Sequence, residues 1–113
     1  MITKEHSINI TEYQDWICAF YKKCKWYNHN SFIHVNLLSE EVGEVARAIH
    51  VLEIGRDKPD ETDKPSNELL ENLEEELGDV LDNILILADK YDISLDSIIN
   101  THKQKLENRF KSH

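Results

Sequence analysis

The segment Glu40-Glu41-Val42-Gly43-Glu44-Val45-Ala46-Arg47-Ala48-Ile49 returns thirty-five positions later as Glu75-Glu76-Leu77-Gly78-Asp79-Val80-Leu81-Asp82-Asn83-Ile84. This echo constrains the fold because it repeats an apolar frame at helical spacing together with a pair of acids. On a helix advancing about 100° per residue, with Leu38 and Leu73 set to zero, Val42, Val45 and Ile49 fall within about 40° of that line, as do Leu77, Val80 and Ile84. Glu41 and Glu44 in the first copy, and Glu76 and Asp79 in the second, stand at about 300° and 240°, on one shoulder of the stripe. The expectation is two helices packed through their stripes, with four carboxylates at one edge of the seam. Unscreened by a cation, such carboxylates repel one another by about 1 to 4 kcal/mol per close pair, so a divalent metal is the expected partner.

The remainder of the chain reads as helix too. Ile10, Tyr13, Ile17 and Phe20 recur at helical spacing behind Asn9 or Thr11, both competent caps, which predicts a first helix over about 10–24 with Trp16 in its core. Trp26 to Ser31 breaks the pattern. A second helix is expected from near Ser31 to Ile54, ended by Gly55. Residues 56–65 are charged, hold both prolines, and read as an exposed loop. Ser66 or Asn67 would cap a third helix running to about Lys90, and Ser94 or Asp96 a fourth reaching about residue 110. In the third helix Leu85 and Ile86 lie at about 120° and 220°, well off the main stripe. That stretch is apolar nearly all round, and its cover is expected from a second subunit. The fold class is therefore all-α: four helices in a single domain, 1–113, assembling as a homodimer or homotetramer.

Composition narrows the function. A net charge of −9 over 113 residues opposes nucleic-acid binding, which needs a basic surface to displace counterions from phosphates. Cys18 and Cys24 match neither a C-x-x-C redox pair nor a zinc half-site, and are expected as buried or idle thiols. No stretch of 18 apolar residues occurs and the first residues lead into no apolar signal region, so the expected protein is soluble, cytoplasmic and free of the membrane.

The acids carry the chemistry. Mg²⁺ takes oxygen ligands in octahedral array and is usually held by a few carboxylates together with substrate phosphates. Residues three apart on a helix project from nearly the same side, so each pair can converge on one ion or a close ion pair. Asn83, at about 280°, is placed to orient a ligand or a water. Glu40 and Glu75, at about 200°, stand farther round, and Asp82, at about 180°, is solvated or interfacial. A ferritin-like di-iron site needs Glu-x-x-His on two helices, and none of the six histidines has a glutamate three residues before it. His29 and His34 flank the start of the second helix, where contact with a substrate or simple packing are both open.

On these motifs the chain resembles the MazG-like, all-α nucleoside triphosphate pyrophosphohydrolases. The EExxE motif of that family stands as Glu40-Glu41-Val42-Gly43-Glu44, its ExxD motif as Glu76-Leu77-Gly78-Asp79, and the K-x-x-N-R run of the dCTP pyrophosphatase-like branch as Lys105-Leu106-Glu107-Asn108-Arg109. The resemblance implies a four-helix MazG-like bundle that hydrolyses nucleoside triphosphates, dNTPs or non-canonical nucleotides, to monophosphate and pyrophosphate as nucleotide-pool house-cleaning. Mg²⁺ is the implied cofactor, with Mn²⁺ as a substitute. It implies Glu41, Glu44, Glu76 and Asp79 as metal ligands, and Glu40 and Glu41 as catalytic residues, Glu40 as a further ligand or activator of the attacking water. Lys105, Asn108 and Arg109 would bind phosphates, with a solvated helix end as the plain alternative. Trp26 and His29 match the region where relatives carry an aromatic and a histidine near the base. The alternatives are a type II dUTPase-like or phosphoribosyl-ATP pyrophosphohydrolase activity, or a non-catalytic helical regulatory partner that kept the acidic frame.

Overall fold

The computed structural model describes residues 7–55 and 66–111. Four helices follow in order: α1 (Ile10–Lys23), α2 (Ser31–Ile54), α3 (Ser66–Lys90) and α4 (Leu95–Phe110), with no strand among the described residues. Their ends are chemical. Asn9 caps α1, its Oδ1 accepting from the backbone N–H of Thr11 at 2.9 Å and Glu12 at 3.1 Å. Asn30 caps α2 through Ile33 N–H at 3.0 Å, and Ser94 caps α4 through Ser97 N–H at 3.1 Å. Gly55 closes α2 with φ 97°, a backbone angle that side chains resist. Ser66 is already helical in α3, so the cap of that helix, like the expected loop 56–65, lies outside the described residues.

Helices α1 and α3 end without glycine. Trp26 N–H reaches back to the Tyr21 carbonyl at 2.9 Å, and Ile93 N–H to the Ala88 carbonyl at 2.9 Å. These six-to-one bonds require a left-handed residue just before the donor, supplied by Lys25 (φ 65°) and Asp92 (φ 58°).

The chain forms two compact units, one of residues 1–29 and 85–113, the other of Asn30–Ile84, with α3 running through both. In the first unit the core is Ile17, Cys18, Leu85 and Ile86, with Tyr13, Tyr21, Tyr27 and Leu95 packed against it. Gln14 ties the unit together. Its side chain, 3% exposed, donates to the carbonyls of Leu85 (3.2 Å) and Ile93 (3.1 Å), and accepts from Leu95 N–H at 3.0 Å. One amide thus satisfies the end of α3, the turn after it and the start of α4. Thr11 adds a bond from its hydroxyl to Asp96 at 2.7 Å.

Three sequence expectations change here. Trp16 is not core but 57% exposed, stacked between Tyr13 and Phe20 at centroid distances of 5.8 and 5.5 Å. The face of α1 that is covered runs through Gln14, Ile17, Cys18 and Tyr21, turned roughly 70° from the expected stripe. The cause is Gln14, whose three hydrogen bonds hold a polar residue at the centre of that face. Second, Leu85 and Ile86 are both 0% exposed within one chain, so their cover comes from α1 and its neighbours rather than from another subunit. Third, Val42 (51% exposed), Leu77 (50%), Ile49 and Ile84 stand open, although they were expected inside the seam of α2 and α3.

The thiols are free, Cys18 buried and Cys24 half-buried. Burial first, and then the Asp89 carboxylate, push Cys18 up to about 12, which keeps it a thiol at neutral pH.

Candidate functional site

The second unit builds its interior on a three-four alternation. In α2 the covered positions include Ser31, His34, Leu38, Glu41, Val45, Ala48 and Leu52; in α3 they include Leu69, Leu73, Glu76, Val80 and Asn83. Both series keep the register of the sequence echo, Leu38 with Leu73, Glu41 with Glu76, Val45 with Val80 and Ala48 with Asn83. The acids expected at the shoulder are thus within the covered stripe itself, Glu41 between Leu38 and Val45, Glu76 between Leu73 and Val80. That explains why Val42 and Leu77 are open: each helix is turned toward its acids.

This turn brings carboxylate oxygens of Glu41, Glu76 and Asp79 within 4.8 Å of one another. Glu44 and Glu40 are exposed and outside that tight group, yet near enough for their charges to act on it. Partial burial, and then the charges of Asp79, Glu76, Glu44 and Glu40, hold the Glu41 carboxyl above the ordinary glutamate value of 4.5. Glu76 is raised likewise, by loss of solvent first and then by Asp79, Glu44 and Glu75. Asn83, 5% exposed, donates from Nδ2 to the Asp79 carbonyl at 2.9 Å, while its Oδ1 has no hydrogen-bond partner among the described residues. Buried amide oxygens are rarely left so. Three converging carboxylates with an unclaimed buried amide oxygen one turn from Asp79 make an all-oxygen donor set, which fits Mg²⁺ or Mn²⁺ and not a thiol- or imidazole-seeking ion.

A pH effect follows from the raised carboxyls. A carboxyl whose folded pKa lies above its unfolded one favours the fold below the unfolded value and loses that contribution as pH rises through the folded value. The metal-free protein is therefore expected to lose stability from this site as pH climbs from about 4.5, and metal binding in that window is expected to release protons. Calorimetric metal titration in buffers of different ionisation enthalpy reads the release, which should fade toward neutral pH; none at any pH would contradict the raised carboxyls.

The other expected site residues stand as follows. Trp26 is about half exposed in the first unit, edge-on to Phe20 at 5.9 Å and Tyr21 at 5.4 Å. His29 is exposed there as well, whereas His34 is fully buried in the second unit. Lys105, Asn108 and Arg109 are exposed on α4. Tyr27 belongs to structure: its hydroxyl donates to Asp89 at 2.7 Å, its ring lies 4.7 Å from Lys22 Nζ and 4.4 Å from Lys90 Nζ, and its carbonyl accepts from Lys90. Sequence reasoning passed over Arg47 and Asn72. With Glu44 and Glu76 they wall a cleft of about 230 Å³ in the second unit. The available signal was spacing, since Arg47 is one turn past Glu44 and Asn72 one turn before Glu76.

Converging carboxylates on two helices, set by an internal echo in an all-helical chain, make an acidic site whose chemistry suits a divalent cation. The chain belongs to the family of the MazG nucleotide pyrophosphohydrolase domain, whose model matches residues 29–113. It is 43% identical over 104 residues to the uncharacterized protein YvdC of Bacillus subtilis (strain 168), covering 92% of this chain and 98% of that one. Its fold is similar to the crystal structure of Bacillus subtilis YPJD, with a TM-score of 0.67 and 22% identity over 96% of this chain and all of that one. Among the described residues no helix is long and apolar enough to cross a membrane.

Proposed function

We propose that the chain hydrolyses nucleoside triphosphates, dNTPs or non-canonical nucleotides, to monophosphate and pyrophosphate with Mg²⁺ or Mn²⁺. The observation that carries this is the convergence of Glu41, Glu76 and Asp79 oxygens within 4.8 Å in a chain of this family. Glu41, Glu76 and Asp79 would hold the cation, with Glu44 reaching it when substrate draws the exposed carboxylate in. Bound there, the cation supplies neutralisation of phosphate charge and acidifies a coordinated water. The residues of the chain do the rest by position. Asn83 Oδ1 accepts a hydrogen bond from a water beside Asp79, and Glu40, exposed next to Glu41, takes the proton of the attacking water or serves as a further ligand. Lys105, Asn108 and Arg109 bind phosphate oxygens, and the half-exposed Trp26, with His29, meets the base. Support for these last roles comes from their motif positions and their exposure.

The test is pyrophosphate release across a panel of canonical and damaged nucleotides. Release with Mg²⁺ or Mn²⁺, abolished by chelator and restored by metal, is the expected result. Full activity in a rigorously metal-free preparation would refute it.

Self-association is proposed on a different ground from Leu85 and Ile86. Val42, Ile49, Leu77, Leu81 and Ile84 leave apolar surface open along α2 and α3 of the second unit, and a second copy offers the same surface in return, the self-complementary case of a two-fold dimer. Light scattering should give a mass at least twice 13.3 kDa. A stable monomer at micromolar concentration would defeat the idea.

A further inference from the structure

The cleft of about 230 Å³ beside the acids has two ends of unlike character. At one end stand Glu44 and Glu76; one helical turn away stand Arg47 on α2 and Asn72 on α3, over an apolar floor that includes Ala48 and Leu69. The cleft runs along the helices from Glu44 to Val51, about 10 Å of helical rise. Its volume falls below the roughly 300–1,000 Å³ of pockets that hold a whole drug-sized ligand, so it suits a part of a substrate rather than all of it.

Among the described residues Arg47 is the only cation lining this cleft. In a site so rich in carboxylate it would be expected to pair with one, yet among the described residues it makes no ion pair, not even with Glu44 three positions before it. Its guanidinium stays open to an anion. A fork of N–H donors matches phosphate oxygens two at a time, and the Asn72 carboxamide can add a donor from the facing helix.

We propose that Arg47, assisted by Asn72, binds the two terminal phosphates of the substrate and holds them as pyrophosphate when they leave. This rests on the function proposed above. In that reaction the water oxygen forms a bond to the α-phosphorus, the bond from that phosphorus to the bridging oxygen breaks, and its electron pair departs with the pyrophosphate. One proton of the water passes to solvent, by way of Glu40 where that residue acts as base, and the other leaves from, or stays on, the oxygen added to the monophosphate. Negative charge therefore gathers on the leaving group, one turn from the acids, where Arg47 stands. The acids and the guanidinium divide the triphosphate between them: the reacting phosphorus lies at the end marked by Glu44 and Glu76, and the departing diphosphate lies along the cleft.

The experiment compares the unaltered protein with Arg47→Gln, Arg47→Lys and Asn72→Ala, reading kcat and KM for a hydrolysed nucleotide, product inhibition by magnesium pyrophosphate and by the nucleoside monophosphate, Mn²⁺ affinity and melting temperature. Arg47→Gln should weaken inhibition by pyrophosphate about 10- to 100-fold and lower kcat/KM by a similar factor. Inhibition by monophosphate, Mn²⁺ affinity and melting temperature should hold. Arg47→Lys should recover part of the loss, and Asn72→Ala should show a smaller one. Equal pyrophosphate inhibition in Arg47→Gln and the unaltered protein would overturn the assignment while leaving the proposed reaction intact. Absence of pyrophosphate release by the unaltered protein on every nucleotide would overturn the reaction, and this assignment with it.

Discussion

Replacing Glu76 by glutamine is expected to lower pyrophosphate release by about 10³-fold while leaving the fold intact. Glutamine keeps the shape and helix propensity of the side chain but removes the charge of one of three carboxylates whose oxygens meet within 4.8 Å. A ligand charge acting on a phosphate-bound cation is worth several kcal/mol of transition-state stabilisation, and about 4 kcal/mol corresponds to that factor. The metal-free variant should melt no lower than its parent, because Glu76 is a carboxylate that its neighbours Asp79, Glu44 and Glu75 oppose. Glu74→Gln is the matched control: it is exposed on the same helix and outside the converging group, so its turnover should change little. Similar kinetic losses in both variants would mean that general negative charge, rather than the converging oxygens, sets the rate.

The largest effect on stability is expected at Gln14, in the other unit. Gln14→Ala strips the side-chain partner from the Ile93 carbonyl and from Leu95 N–H, removes a second bond from the Leu85 carbonyl, and opens a void where a 3% exposed side chain stood. Each orphaned buried group costs about 1–3 kcal/mol, partly relieved where water enters, so a net loss of about 3 kcal/mol is expected. In a chain of this size that lowers the melting temperature by on the order of 10–20 °C. Thermal denaturation followed by circular dichroism checks it. Ala19, exposed on the same helix, gives the comparison: Ala19→Ser should shift melting by a small fraction of that amount.

Gln14 also marks the limit of what the sequence could reveal. Helix number and ends were legible because caps and breakers act locally: Asn9, Gly55 and Ser94 fall where their side chains or backbone freedom predict. The ends of α1 and α3 also fall within a residue of the expected 24 and 90, but the left-handed residues behind them, Lys25 and Asp92, carry no local signal, because backbone bonds reaching five residues back rather than a glycine hold that conformation. Faces were less legible than ends. Hydrophobic periodicity assigns the covered side to the most apolar stripe, and in α1, α2 and α3 the true covered side is turned toward polar residues, namely Gln14, Glu41 and His34, and Glu76 and Asn83. Each turn of roughly 50–70° left apolar residues outside and drew converging carboxylates or hydrogen-bonded polar groups in.

For the candidate site, the echo was enough to single out Glu41, Glu76 and Asp79 as acids that come together, since matching spacing in two helices is visible without coordinates. It placed Glu44 on equal terms with them, whereas in the folded chain Glu44 is exposed and outside the close group. Arg47 and Asn72 were invisible for a physical reason. Each is an ordinary polar residue on its own helix, and only the approach of α2 to α3 within one unit makes them walls of one cleft.

Mn²⁺ binding, followed by electron paramagnetic resonance, to the unaltered protein and to the Glu41→Gln, Glu76→Gln double variant tests the metal centre most directly. If the carboxylates joined by the sequence echo form the metal centre, the unaltered protein should take up Mn²⁺ and the double variant should lose at least about 100-fold in affinity, with both still helical. Equal Mn²⁺ uptake by the two proteins would contradict the metal centre and, with it, the chemistry assigned to this fold.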